Sequence, residues 1–208
     1  RGAVEDAERL GLKVAAHCHA AKGVVNCVKA GVHNLIHCSW LAEDPENMYD
    51  YDTDIADEMA EKGIYIDPTL ALSHLNRMRG RIPVPGSGSA SDPGRRFEIL
   101  RDMWDRGVKF VTGMDSGMTN ANFDDFAYIP QVMVEEMGIS PIEAIICSTK
   151  TSADCLGMEA EIGTLSESKS ADVLIIDGDP SVDIKLLHSV DTIVSQGKIV
   201  KKEGVLLI

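Results

Sequence analysis

The stretch Val28-Lys29-Ala30-Gly31-Val32-His33-Asn34-Leu35-Ile36-His37 holds the fold in miniature. An amphipathic segment ends at a glycine, and an apolar run follows at once. Glycine just past a helix adopts the left-handed conformation without a Cβ penalty, so Gly31 reads as a helix stop with a strand behind it. The same pattern recurs at Glu8-Arg9-Leu10-Gly11, Ala60-Glu61-Lys62-Gly63 and Trp104-Asp105-Arg106-Gly107. The strands expected behind these stops are Leu12–His17, Val32–His37, Ile64–Asp67 and Val108–Asp115. Near-continuous apolar runs of this kind suit strands covered on both faces.

Between them, Ala20–Ala30, Thr53–Lys62 and Arg96–Arg106 place apolar residues at three-to-four spacing, and Phe126–Met137 continues the series. Ser140-Pro141-Ile142-Glu143 supplies an N-cap, a proline at the first helical position and a capping-box glutamate, opening a helix to about Leu156. Strict alternation of strand and helix predicts an α/β fold with a parallel sheet, built from four βα units. From about Glu159 the pattern changes to short β runs, 162–166, 171–176, 192–195 and 198–201. The expected division is therefore a partial (β/α) barrel over 1–157 and a small β-sandwich-type subdomain over 158–208. Residues 79–95 concentrate Gly, Pro and Ser. A loop that long reads as a lid over the barrel mouth or as a disordered excursion.

Composition narrows the function classes. The 208 residues carry 33 acidic against 20 basic side chains, a formal charge of −13. That balance argues against a nucleic-acid partner, which needs clustered Lys and Arg. No apolar run approaches the 18–20 residues a membrane helix needs, and no membrane partner is expected. The five cysteines, an odd set without Cys-x-x-Cys spacing, fit a reduced, cytoplasmic compartment rather than a disulfide framework.

Chemistry concentrates where the strands end. His17, His37 and Asp115 close the first, second and fourth strands. In (β/α) barrels such positions converge on one mouth. Two imidazoles and a carboxylate there form a set suited to Zn²⁺ or a similar ion. Taken singly, each is also what a satisfied polar residue or a turn former looks like; together, in register with the repeats, they point to a site. His19 falls on the face of His17 if the strand extends, and is assigned with His74 to substrate contacts.

At these residues the chain resembles the amidohydrolase superfamily, in its imidazolonepropionase-like and prolidase-like branch. His17-Cys18-His19, followed after a helix by Ala30-Gly31-Val32 and Leu35-Ile36-His37, is similar to the family's fifth- and sixth-strand segments. Asp67-Pro68-Thr69-Leu70 resembles its seventh-strand Pro-Thr-Leu, and Gly113-Met114-Asp115-Ser116-Gly117 its eighth-strand motif. Gly163-Thr164-Leu165 and Lys169 to Pro180 resemble its returning β-subdomain.

The resemblance implies a hydrolase of amide, peptide or cyclic-amide C–N bonds using a metal-activated water. One or two divalent ions, Zn²⁺ first, would be held by His17, His37 and Asp115, with Asp115 moving the proton. The family's first-strand His-x-His and fourth-strand Lys have no counterpart in this sequence. The chain, which begins at Arg1, is accordingly read as the C-terminal half of a TIM-type (β/α)8 barrel whose full site needs residues outside it. The competing reading is a catalytically incomplete half-barrel that acts as an assembly unit. A small amide or dipeptide-like substrate and a homo-oligomeric state are expected.

Overall fold

A computed structural model of the chain describes residues 1–44, 46–80, 93–118 and 120–207. Helix α1 (Gly2–Arg9) leads into β1 (Ala15–Ala20), α2 (Ala21–Ala30), β2 (Asn34–Leu41), α3 (Thr53–Lys62) and β3 (Tyr65–Asp67). There follow α4 (Ala71–Met78), α5 (Pro93–Asp105), β4 (Lys109–Phe110), α6 (Tyr128–Met137), α7 (Pro141–Ile146) and α8 (Ser152–Leu156). Strands β1 to β4 form one parallel sheet in sequence order. Four successive βα units in that order are half the complement of a (β/α)8 barrel. Gly31 and Gly63 take left-handed conformations at the ends of α2 and α3, with φ of +79° and +64°, as the sequence pattern requires.

The core lies between the sheet and its helices. Val24 and Val28 from α2, Met59 from α3, and Leu100 and Met103 from α5 pack with Leu35, Trp40, Ile66 and Phe110 from the strands. All of these are essentially excluded from water. Trp40 donates its indole N–H to the Met103 sulfur at 3.3 Å, so its one polar atom is satisfied inside the core. Met133 and Met137, one helical turn apart on α6, are both buried.

Several boundaries differ from expectation. β1 runs from Ala15 to Ala20, three residues later than the apolar run suggests, so both His17 and His19 are strand residues. β4 is only Lys109–Phe110, and the chain leaves the sheet five residues before Asp115. The helix expected from Ser140 to Leu156 is interrupted by a π-helical turn over Cys147–Thr151. Ser148, Thr149 and Ser152 donate their hydroxyls to the carbonyls of Ala144, Ile145 and Cys147, competing with the regular ladder there. The Ser140–Glu143 capping box is present.

A second, antiparallel sheet joins β5 (Val173–Ile176), β6 (Val190–Ser195), β7 (Lys198–Lys202) and β8 (Val205–Leu206). The run 162–166 is not a strand. Lys169 Nζ donates to the carbonyls of Glu159 and Ile162 and to Thr164 Oγ1, folding that segment into turns around one ammonium group. The β-tail docks on the parallel-sheet unit through α6. His188 Nε2 meets Gln131 Oε1 at 2.6 Å, and Lys185 pairs with Glu135 at 2.8 Å. The Gly/Pro/Ser segment expected as a lid lies, over 81–92, outside the described residues. Among the described residues no helix is long and apolar enough to cross a membrane, and all five cysteines are free thiols.

Candidate metal centre

The period of two along β1 puts His17 and His19 on one face and Cys18 on the other, where Cys18 is buried. His37 comes to the same place by a less regular route. The parallel ladder pairs Cys18 with His37, and an unbroken pleat would send the His37 ring to the Cys18 side. The pleat is broken. His37 and Cys38 have φ of +69° and +42°, Trp40 has +55°, and the ladder register shifts between Cys18 and Ala20.

The result is a compact trio of imidazoles. The His19 and His37 rings stack at 4.4 Å, and the His17 ring stands edge-on to both, at 4.7 and 4.6 Å. One ring nitrogen from each lies within 4.8 Å of the other two. His17 is exposed, His19 half-buried and His37 buried. Burial and the neighbouring imidazoles push His37 down to about 4, and burial lowers His19 as well. Both rings are therefore neutral near pH 7, the state in which imidazole ligates.

The end of β3 supports this cluster. Thr69 Oγ1 lies 2.8 Å from His37 Nδ1, and Ser39 Oγ lies 2.9 Å from His19 Nδ1. Asp67 Oδ1 accepts the backbone N–H of Thr69 at 3.1 Å and that of Gly113 at 2.9 Å, tying β3 to the segment that carries Asp115. The contact is close enough that a Cβ on Gly113 would sit 1.8 Å from Asp67 Oδ2. Burial, with Asp115 adding to it, raises the Asp67 carboxyl to about 6. Arg96, from the first turn of α5, is buried, donates to the Pro68 carbonyl, and leaves its Nε without a partner among the described residues. Its desolvated charge lowers the proton affinity of both His19 and His37.

Of the residues singled out from the sequence, His17 and His37 meet here, and His19 joins them as a third close donor. Asp115 is exposed, at φ +54°, and lies outside the tight trio; its charge favours the protonated forms of His19 and His37. His74 is elsewhere, packed on Tyr128 at 5.7 Å, with Tyr128 in turn on His188 at 4.4 Å. Ser39, Asp67, Thr69 and Arg96 were not foreseen as parts of the site. Of the nine non-glycine residues with positive φ among the described residues, five lie in this neighbourhood: His37, Cys38, Trp40, Thr69 and Asp115. Such residues persist where surrounding structure holds them, commonly at functional sites.

A parallel βα sheet with a cluster of histidines on β1 and β2 defines a barrel-type protein with a metal-competent site. The chain belongs to the amidohydrolase family, whose model matches residues 1–200. It is similar to the ochratoxinase of Aspergillus niger, 27% identical over 210 residues, covering 97% of this chain and 41% of that protein. It is also similar to an imidazolonepropionase of Shouchella clausii, 27% identical over 124 residues, which cover 55% of this chain and 28% of that one. Among solved structures it resembles a Xaa-Pro dipeptidase with methionine bound in its active site. There the TM-score is 0.78 at 26% identity, over 95% of this chain and 47% of the other. The chain thus spans less than half the length of these relatives.

Proposed function

We propose that this chain carries the metal-binding strands of a hydrolase that cleaves C–N bonds of amides, peptides or cyclic amides. The single observation behind this reading is the trio His17, His19 and His37, whose ring nitrogens lie within 4.8 Å of one another. That donor set fits Zn²⁺ or a similar borderline ion. His17 and His37 would hold the ion, with His19 the third donor and Asp115 beside them. Such an ion, when bound, supplies Lewis acidity to a carbonyl and makes a water acidic enough to attack at neutral pH. In this role Asp115 accepts the proton of the attacking water and delivers it to the leaving nitrogen. Its exposed position at the mouth suits a group that must meet both water and substrate. The names of the relatives support this chemistry: ochratoxinase, imidazolonepropionase and Xaa-Pro dipeptidase.

The test is metal content by inductively coupled plasma mass spectrometry on the purified chain and on His37→Ala. Near-stoichiometric metal in the parent and its loss in the variant are expected. Full retention by His37→Ala would sink the assignment. A second reading, a half-barrel that needs a partner to work, is favoured by the sheet itself, since β1 and β4 each have one side unpaired among the described residues. Gel filtration with a turnover assay on dipeptides, N-acyl amino acids and cyclic amides separates the two. A monomer with metal and turnover refutes the second reading.

A further inference from the structure

We infer that Ser39 and Thr69 are positioning residues that each hold one imidazole by its Nδ1, so that Nε2 of His19 and of His37 is the atom turned to the shared centre. This rests on the metal-binding reading above. Each hydroxyl is buried, Ser39 at 2% and Thr69 at 6% exposure, and each lies at hydrogen-bond distance from one ring, 2.9 and 2.8 Å. An imidazole bonded through one nitrogen has its rotation about χ2 restricted and only the other nitrogen free to ligate. A hydroxyl suits the task because it can accept from Nδ1–H, the tautomer that leaves Nε2 as a donor to metal.

The backbone around both hydroxyls is held in conformations that need outside support. Thr69, a β-branched residue, sits at φ +46°, and Ser39 lies between Cys38 at +42° and Trp40 at +55°. The support for Thr69 is identifiable. Asp67 Oδ1 takes its backbone N–H, and Arg96 holds the carbonyl of Pro68 just before it. A threonine kept only to fill space would have no need of this conformation, and a glycine or asparagine would adopt it more readily. The cost is accepted at a residue whose hydroxyl reaches His37.

The experiment compares Thr69→Val, Thr69→Ser and Ser39→Ala with the parent chain. Zn²⁺ affinity is measured by competition with a chromophoric chelator, and ring tautomers by long-range ¹H–¹⁵N NMR. Thr69→Val keeps the branched shape and removes the hydroxyl. It should weaken Zn²⁺ binding by about 10- to 100-fold and shift His37 toward a mixture of tautomers. Ser39→Ala should do the same for His19. Thr69→Ser, which restores the hydroxyl, should bind Zn²⁺ close to the parent. The inference is overturned if Thr69→Val matches the parent in both affinity and His37 signature, or if Thr69→Ser falls as far as Thr69→Val. Should the parent itself bind no Zn²⁺, the metal-binding reading fails. The tautomer spectra of the metal-free proteins then decide the positioning claim alone: unchanged His37 and His19 signatures refute it.

Discussion

Asp67→Asn gives the sharpest energetic test of the site. Asp67 is mostly buried, and its proton equilibrium moves from the ordinary 3.8 up to about 6, chiefly through burial. Below pH 3.8 the folded and unfolded chains both carry the acid form, and the residue makes no pH-dependent contribution. Between 3.8 and about 6 the folded chain binds more protons than the unfolded one, so stability falls as pH rises. Above 6 the full cost of burying the charge is present, about 3 kcal/mol. Asparagine cannot ionise, and both backbone N–H groups already bond to a single oxygen, Oδ1, which the amide retains.

The stability difference between Asp67→Asn and the parent should therefore grow by about 3 kcal/mol in favour of the variant between pH 3.5 and pH 7. Urea unfolding of the EDTA-treated proteins at half-unit pH steps measures it. His37, lowered to about 4, acts in the opposite sense: its burial makes the fold lose stability as pH falls from 6.5 toward 4. That contribution is common to both proteins and drops out of the difference. A difference that stays flat across the range, or that shrinks as pH rises, refutes the reasoning.

Two further outcomes follow from the same neighbourhood. Gly113→Ala drives a methyl into Asp67 Oδ2 and should cost about 1–3 kcal/mol in urea unfolding; adding Asp67→Ala should recover much of that, and strictly additive losses would show that the two residues do not collide. Arg96→Met removes a buried guanidinium whose charge depresses His19 and His37. NMR titration of the metal-free variant should show the His37 midpoint moving up, and an unchanged or lower midpoint would contradict the electrostatic account.

How much of the site was legible in the chain depends on the range of the forces involved. His17 and His19 share a face because strand periodicity is local, and that follows from their spacing alone. Gly113 could be read only as part of a motif, since its reason for being glycine is a carboxylate forty-six positions earlier. Arg96 looked like an ordinary charge on an amphipathic helix; its burial depends on the Pro68 carbonyl and on the layer beneath the mouth. The contact of His74 with Tyr128 was equally invisible, since it joins α4 to a helix more than fifty positions later.

The amino-acid sequence by itself determined the alternation of helix and strand, the glycine stops, the capping box at Ser140 and the break to a β-tail. These come from propensity, periodicity and capping, which act within a few residues. Only the tertiary structure decided which side His37 faces. The ladder pairs it with Cys18, and left-handed backbone at His37 and Cys38 brings its ring against His19 instead, where the Thr69 hydroxyl meets its Nδ1. Conformations of that kind are unfavourable locally and exist because distant contacts outweigh them, which is why no local pattern announces them.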